Sequence, residues 1–156
     1  MRRKDRELSA TEEIESIISE ADVCRIALAD EGTPYIVTMN FGYSGNEGGQ
    51  IWFHCANEGR KINMIRKNNR VCFEFDTGHE LITGRKACDF GMNYRSVVGW
   101  GNINIITDPG EKIKGMNQIM SHYTGSAEFA YNAGTLEEVT VLRLDIIEMT
   151  GKECRR

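Results

Sequence analysis

Three alternating stretches crowd into residues 23–55, separated only by "EGT" at 31–33 and "SGNEGG" at 44–49. In "VCRIALAD", Cys24, Ile26 and Leu28 alternate with Val23, Arg25 and Ala27, and "PYIVTMNFGY" and "QIWFHC" follow. A parallel strand pair needs a crossover of about a dozen residues or more, so breaks this short predict antiparallel strands in a meander. Later come "VCFEFDT", then "YRSVVGWGNINIIT", then a segment in which Val139, Val141 and Arg143 alternate with Leu142, Leu144 and Ile146. Gly99 and Gly101 interrupt the second of these and predict a bulge or a close backbone approach. Residues 78–93 show no period, contain three glycines and read as a long loop. The sum is a mainly β chain with a few helices, closing as a six-stranded antiparallel barrel in one domain over residues 1–156. A barrel of this strand number is filled by its own side chains, so a ligand binds outside it, in a groove between elements or between subunits.

The helices lie between these strands. Ser9-Ala10-Thr11-Glu12 has the spacing of a capping box, and Ile14, Ile17, Ile18 and Ala21 then share one face. A second, short helix follows Gly59, with Ile62 and Ile65 on one side. Asp108, Pro109 and Glu111 predict an N-cap, a first helical position and a capping partner, ahead of a stripe formed by Ile113, Met116, Ile119, Met120 and Tyr123. Residues 121–135 read as irregular, with a short helical piece.

Charge and cysteine content narrow the function classes. The formal net charge of −4 gives a field that repels polyanions, so nucleic acid is not an expected partner. Arg2-Arg3-Lys4 and Arg155-Arg156 read as solvated tails. The 40% apolar and 27% charged composition, with no apolar run near the ~20 residues that cross a bilayer, predicts a cytoplasmic protein with no membrane partner. Five cysteines, none spaced as C-x-x-C, read as reduced thiols rather than as disulfides or metal ligands.

The stretch "IWFHCANEGRKINMI" concentrates the chemistry. A strand ends near His54 and Cys55, a polar turn follows, and Arg60 and Lys61 open a helix. Cations disfavour a helix N-terminus, where unpaired amides already carry partial positive charge. A bound anion such as a phosphate resolves that conflict, gripped by arginine through two donors and by lysine as a point charge. The alternative is a pair of solvated surface cations. His54 is a further donor to the anion or a strand-end packing residue, and Cys55 beside two cations is a candidate for a lowered thiol pKa or a bystander. Trp52, Phe53, Tyr94 and Trp100 are core residues or walls of a ligand site.

The order "PYIVTMNFGY", "IWFHCANEGRK", "VCFEF" and "YRSVVGWG", behind "MRRKDRE", resembles the pyridoxamine 5'-phosphate oxidase-related flavoproteins, and within them the 5-nitroimidazole-resistance branch. That resemblance spans about Met1 to Gly151 and implies an FMN-binding split β-barrel homodimer, with one FMN in each of two grooves at the subunit interface. It implies that Arg60 and Lys61 hold the FMN phosphate and that His54 and Cys55 approach the ribityl chain and phosphate. Val37, Thr38, Met39 and Asn40 are implied to run beside the isoalloxazine ring through backbone groups, with Ser96 adding a polar contact. Thr38 stands where many relatives carry proline.

The implied activity is an oxidoreductase passing electrons from reduced FMN to a small planar acceptor such as a nitroaromatic, with NAD(P)H as one donor. His54 is a weak candidate for a catalytic role, and no residue is identified as an essential acid or base. The arginine and histidine that true oxidases use near their C-terminus for substrate are not evident in "VTVLRLDIIEMTGKECRR". The rival readings are a flavin-binding or sensing module without turnover, and a haem protein ligated through His54 or His122.

Overall fold

A computed structural model describes residues 3–155, so Arg2 and Arg156 of the two basic ends lie outside the described residues. The order of elements is β1 (Glu7–Leu8), α1 (Thr11–Glu20), β2 (Cys24–Asp30), β3 (Thr33–Met39), β4 (Gly42–Ser44), β5 (Gln50–Ala56), α2 (Arg60–Lys67), β6 (Arg70–Ile82), β7 (Gly91–Ile106), α3 (Pro109–Thr124), α4 (Ala133–Glu137) and β8 (Val139–Cys154). All pairings are antiparallel, in the order β3-β2-β6-β7-β8-β5-β4, with β1 added to β8. The six expected strands are present, but the second, expected as one run through Tyr43, divides into β3 and a 3-residue β4 at the opposite end of the sheet, and the 2-residue β1 is an addition.

The sheet curls because one apolar cluster draws on strands from both of its ends. Ile26 of β2 and Met39 of β3 meet Ile51 and Phe53 of β5 and Leu142 and Leu144 of β8, with Phe73 and Val97 between them. Strand twist and a shared core give a mainly antiparallel split barrel, open between β3 and β4. Ile14, Ile17, Ile18 and Ala21 of α1 are buried on one face, as their spacing predicts. α3 lies against β4 and β5 so closely that a Cβ on Gly115 would stand 2.4 Å from the Trp52 ring. That contact anchors the β5 strand whose far end carries His54 and Cys55.

Three further expectations are corrected. α1 is capped by the backbone of Ala10 with no side-chain hydrogen bond, so Ser9 lies outside the helix and the capping box does not form. The helix instead takes the register that buries its three isoleucines, a larger effect than the ~1 kcal/mol of a cap. Residues 78–93 are not all loop: β6 continues to Ile82 and β7 begins at Gly91. A register shift between Thr77 and Glu80, with Gly78 at φ +68°, hides the alternation there. β8 continues to Cys154, its period broken where the register shifts between Trp100 and Gly101. That shift is the bulge expected from the glycines, and Gly99 also approaches closely, since a Cβ there would lie 2.3 Å from Phe73.

Candidate functional site

Three chain segments converge at the open side of the barrel: the end of β3, the end of β5 and the start of α2. Gly59, at φ +126°, turns the chain from the β5 loop into the helix, a conformation that favours glycine. Because Gly59 offers no side chain and the first turn holds no acidic residue, the amides of Arg60 and Lys61 face no capping group. Ile62, Met64 and Ile65 are buried and hold the helix in place, leaving Arg60 exposed and Lys61 half-buried. Asn57 fixes the preceding turn: its amide donates to the Glu137 carbonyl at 2.7 Å and its Oδ1 accepts from Thr140 at 2.8 Å.

The two cations rest on β3. The Arg60 guanidinium sits 4.5 Å over the Tyr35 ring, and Lys61 Nζ lies 3.4 Å from Met39 Sδ. Neither makes an ion pair among the described residues. Partial burial and then the Lys61 charge hold the His54 imidazole below its ordinary pKa, which favours the neutral ring. Cys55 answers the sequence expectation in the opposite sense. Burial pushes its thiol up, and the nearby Lys61 ammonium only partly opposes this, so Cys55 is not an activated thiolate.

The structure therefore brings Met39, His54, Cys55, Arg60 and Lys61 together. Val37 and Met39 share the inner face of β3 with Tyr35, whereas Thr38 is exposed on the outer face opposite Arg25 of β2. Asn40 is exposed just past the strand end. β3 is an edge of the sheet, so its outer flank presents unpaired backbone groups. Ser96 is not brought to this cluster within one chain: it lies on β7 between Asp76 and Lys152, three strands across the sheet from β3. Trp52 and Phe53 are fully buried core residues, while Trp100 is exposed.

Sequence reasoning missed Tyr35 and Asn57. Tyr35 carried a signal, since it is spaced two and four residues from Val37 and Met39; Asn57 carried none beyond membership of a turn. His122 is engaged elsewhere, its Nε2 being 2.9 Å from the Ala21 carbonyl and its ring packed 4.2 Å from that of Phe41. Among the described residues no three His, Cys, Asp or Glu side chains gather as a metal site, and no helix is long and apolar enough to cross a membrane.

The sequence profile of the pyridoxamine 5'-phosphate oxidase family matches residues 10–153. The chain belongs to this family of flavin-binding split barrels. A solved structure from Bacteroides thetaiotaomicron, whose assignment to 5-nitroimidazole antibiotic resistance is itself a proposal, is 36% identical with a TM-score of 0.83. The match covers 94% of this chain and 86% of that one. Two more distant structures share the fold. A flavocytochrome from Azotobacter vinelandii is 19% identical, with a TM-score of 0.84 over 100% of this chain and 72% of that one. An FAD-binding protein from Mesorhizobium loti is 24% identical, with a TM-score of 0.69 over 96% and 98%. No curated protein matches the chain.

Arg143, the arginine of β8 before the terminal tail, is committed to Asp145 at 2.9 Å and Glu111 at 3.6 Å.

Proposed function

We propose that this split barrel is an FMN-dependent oxidoreductase acting on a small planar acceptor of the nitroaromatic class. One observation carries the reading: two cations that make no ion pair among the described residues open an uncapped helix beside the free edge of β3. These residues fit a phosphate monoester. Arg60 offers a planar fork, Lys61 a point charge and the first-turn amides further donors, while neutral His54 can donate one more bond. The edge of β3 at Val37, Thr38, Met39 and Asn40 offers backbone donors and acceptors to a flat polar ring.

FMN bound there would supply two-electron transfer, replenished by a reduced nicotinamide nucleotide. The chain's own part is to bind the phosphate, hold the ring against β3 and limit water on its β5 side. None of its side chains is assigned a proton transfer, and a neutral His54 suits binding better than acid catalysis. Because Ser96 lies three strands away, its contact with the flavin comes from a second copy in a homodimer. The 36% identical relative supports the choice of a nitroaromatic acceptor.

Purified protein titrated with FMN, FAD and riboflavin should bind FMN most tightly and riboflavin, which lacks the phosphate, at least about 100-fold more weakly. Anaerobically reduced holoprotein should be reoxidised faster on adding a nitroaromatic. Equal affinity for FMN and riboflavin defeats the phosphate assignment. Flavin binding without accelerated reoxidation leaves a binding or sensing module, and a Soret band from protein loaded with haem favours the haem reading through His54.

A further inference from the structure

The ladder between β2 and β3 stops where a side chain enters it. Glu31 and Gly32, both at positive φ, form the two-residue turn of this hairpin. Such a turn closes on a hydrogen-bonded pair, here Asp30 with Thr33, and antiparallel pairs then alternate, so Leu28–Tyr35, Ile26–Val37 and Cys24–Met39 each exchange two bonds. The same count puts Asp22 opposite Phe41 as the next bonded rung. That rung is split. Tyr123, in the last turn of α3, donates its hydroxyl proton to the Asp22 carbonyl at 2.7 Å. With its one proton committed there, the phenol oxygen accepts from the Phe41 amide at 3.2 Å. A direct bond would have closed the rung without any side chain; the inserted hydroxyl widens it by one oxygen and ties the chain to α3.

Neighbouring contacts keep this wedge in place. His122 Nε2 donates to the Ala21 carbonyl at 2.9 Å, and its ring packs 4.2 Å from that of the buried Phe41. Gly42 runs so close to α3 that a Cβ there would stand 2.3 Å from the Gln118 carbonyl carbon. The chain that crosses from β3, at one end of the sheet, to β4, at the other, is thus pinned immediately after Asn40. That pin sets the Asn40 backbone. Met39 exchanges its bonds with Cys24, and the Phe41 N–H points at Tyr123. Among the described residues no peptide bond is cis, so the Asn40 N–H and C=O, which oppose those groups across their peptide planes, both face away from β2 at the free edge. Thr38 presents the same pair, held by the ladder alone; Asn40 lies past the last rung and depends on Tyr123.

We infer that Tyr123 is a positioning residue for the flavin: its hydroxyl, wedged between Asp22 and Phe41, fixes the Asn40 backbone as the dock for the imide edge of the isoalloxazine ring. The Asn40 C=O accepts from the ring N3–H, and the Asn40 N–H donates to an adjacent ring carbonyl. The inference rests on the flavin reading above and deepens it. Oxidised isoalloxazine carries one ring N–H, the imide, flanked by two carbonyls, while its other polar edges only accept. A strand edge that shows one donor beside one acceptor therefore matches the ring at the imide alone. Tyr123 does not touch the flavin and acts through Asn40.

The test titrates full-length protein with FMN and with 3-methyl-FMN, whose imide N–H is blocked. The parent should bind the methylated flavin at least about tenfold more weakly. Tyr123→Phe, which keeps the ring and removes the hydroxyl, should weaken FMN by about tenfold and leave 3-methyl-FMN nearly unchanged, because the contact that Tyr123 serves is already absent there. In holoprotein loaded with 15N-labelled FMN, the N3 proton should resist solvent exchange in the parent and exchange faster in Tyr123→Phe. The two parent measurements need no variant: equal affinity for both flavins, or an unprotected N3 proton, overturns the imide dock. A Tyr123→Phe protein that keeps the parent's FMN affinity, or loses both flavins in equal measure, overturns the positioning role. A parent that binds neither flavin overturns this inference together with the flavin reading of the site.

Discussion

Two helices of this chain begin in opposite ways. α3 starts behind Asp108, whose carboxylate accepts from the Glu111 amide at 2.9 Å, with Pro109 at its first position and Glu111 in its first turn. α2 starts behind a glycine at φ +126°, with no capping side chain, no acid in the first turn and two cations instead. The first end satisfies its own amides and opposes its own dipole; the second adds charge of the same sign to the dipole, at a cost of a few tenths of a kcal/mol for each cation. Tertiary packing sustains α2 despite this, because Ile62, Met64 and Ile65 are buried. The difference teaches that a helix end left unfavourable by its own residues is sustained by burial further along the helix and stays open to an anion, whereas a self-sufficient end serves stability.

The strongest way to break that contrast is to remove the cations. Arg60→Ala with Lys61→Ala should lower FMN affinity about a thousandfold, since each charged hydrogen bond contributes about 1.5–3 kcal/mol. The thermal stability of the flavin-free protein should hold or rise slightly, because the helix dipole is relieved. Fluorescence titration and a melting curve measure the two quantities. Unchanged flavin affinity in a folded variant would end the phosphate assignment.

The smaller test acts on the other helix. Asp108→Ala removes the cap of α3 and should destabilise the protein by about 1 kcal/mol, lowering Tm by about 2–4 °C, with FMN affinity unaltered. A loss of flavin from this variant would show that the two ends are not separable and that α3 supports the site through Trp52 and β5.

These two ends also show what could be read in the sequence. The Asp108-Pro109-x-Glu111 signature is local: its N-cap and first-position proline form as expected, while the Glu111 carboxylate pairs with Lys114 and Arg143. The Ser9 capping box is equally local and fails, since burial of Ile14, Ile17 and Ile18 sets the register of α1. Glycine-bounded alternation revealed the strands as far as their bulges; at Gly78 and opposite Trp100 the period of two is lost, and with it the end of β6, the start of β7 and the last residues of β8. At the site, the juxtaposition of Arg60 and Lys61 with His54 was readable because one short turn joins them. The seat of those cations on Tyr35 and Met39, and the distance of Ser96, depend on strand order, which no local pattern encodes.

The finest test asks whether the positive end of α2 is felt by its neighbours before any ligand arrives. In the folded chain, burial and Lys61 lower the His54 pKa, whereas in the unfolded chain the imidazole takes its proton near the ordinary value of about 6.5. The unfolded state therefore binds more protons as the pH falls through that value, and stability declines until the pH drops below the folded pKa, where the loss levels off. His54→Gln should remove this component, so its stability relative to the parent should improve between about pH 7 and pH 5 in chemical denaturation of flavin-free protein. Arg60→Ala with Lys61→Ala should keep the part due to burial and lose the part due to charge, giving an intermediate slope, while Asp108→Ala should leave the slope as it is. His54 is exposed at its outer edge, so the effect is the smallest of the three, and identical pH profiles for parent and His54→Gln would show that neither burial nor the Lys61 ammonium lowers the imidazole pKa.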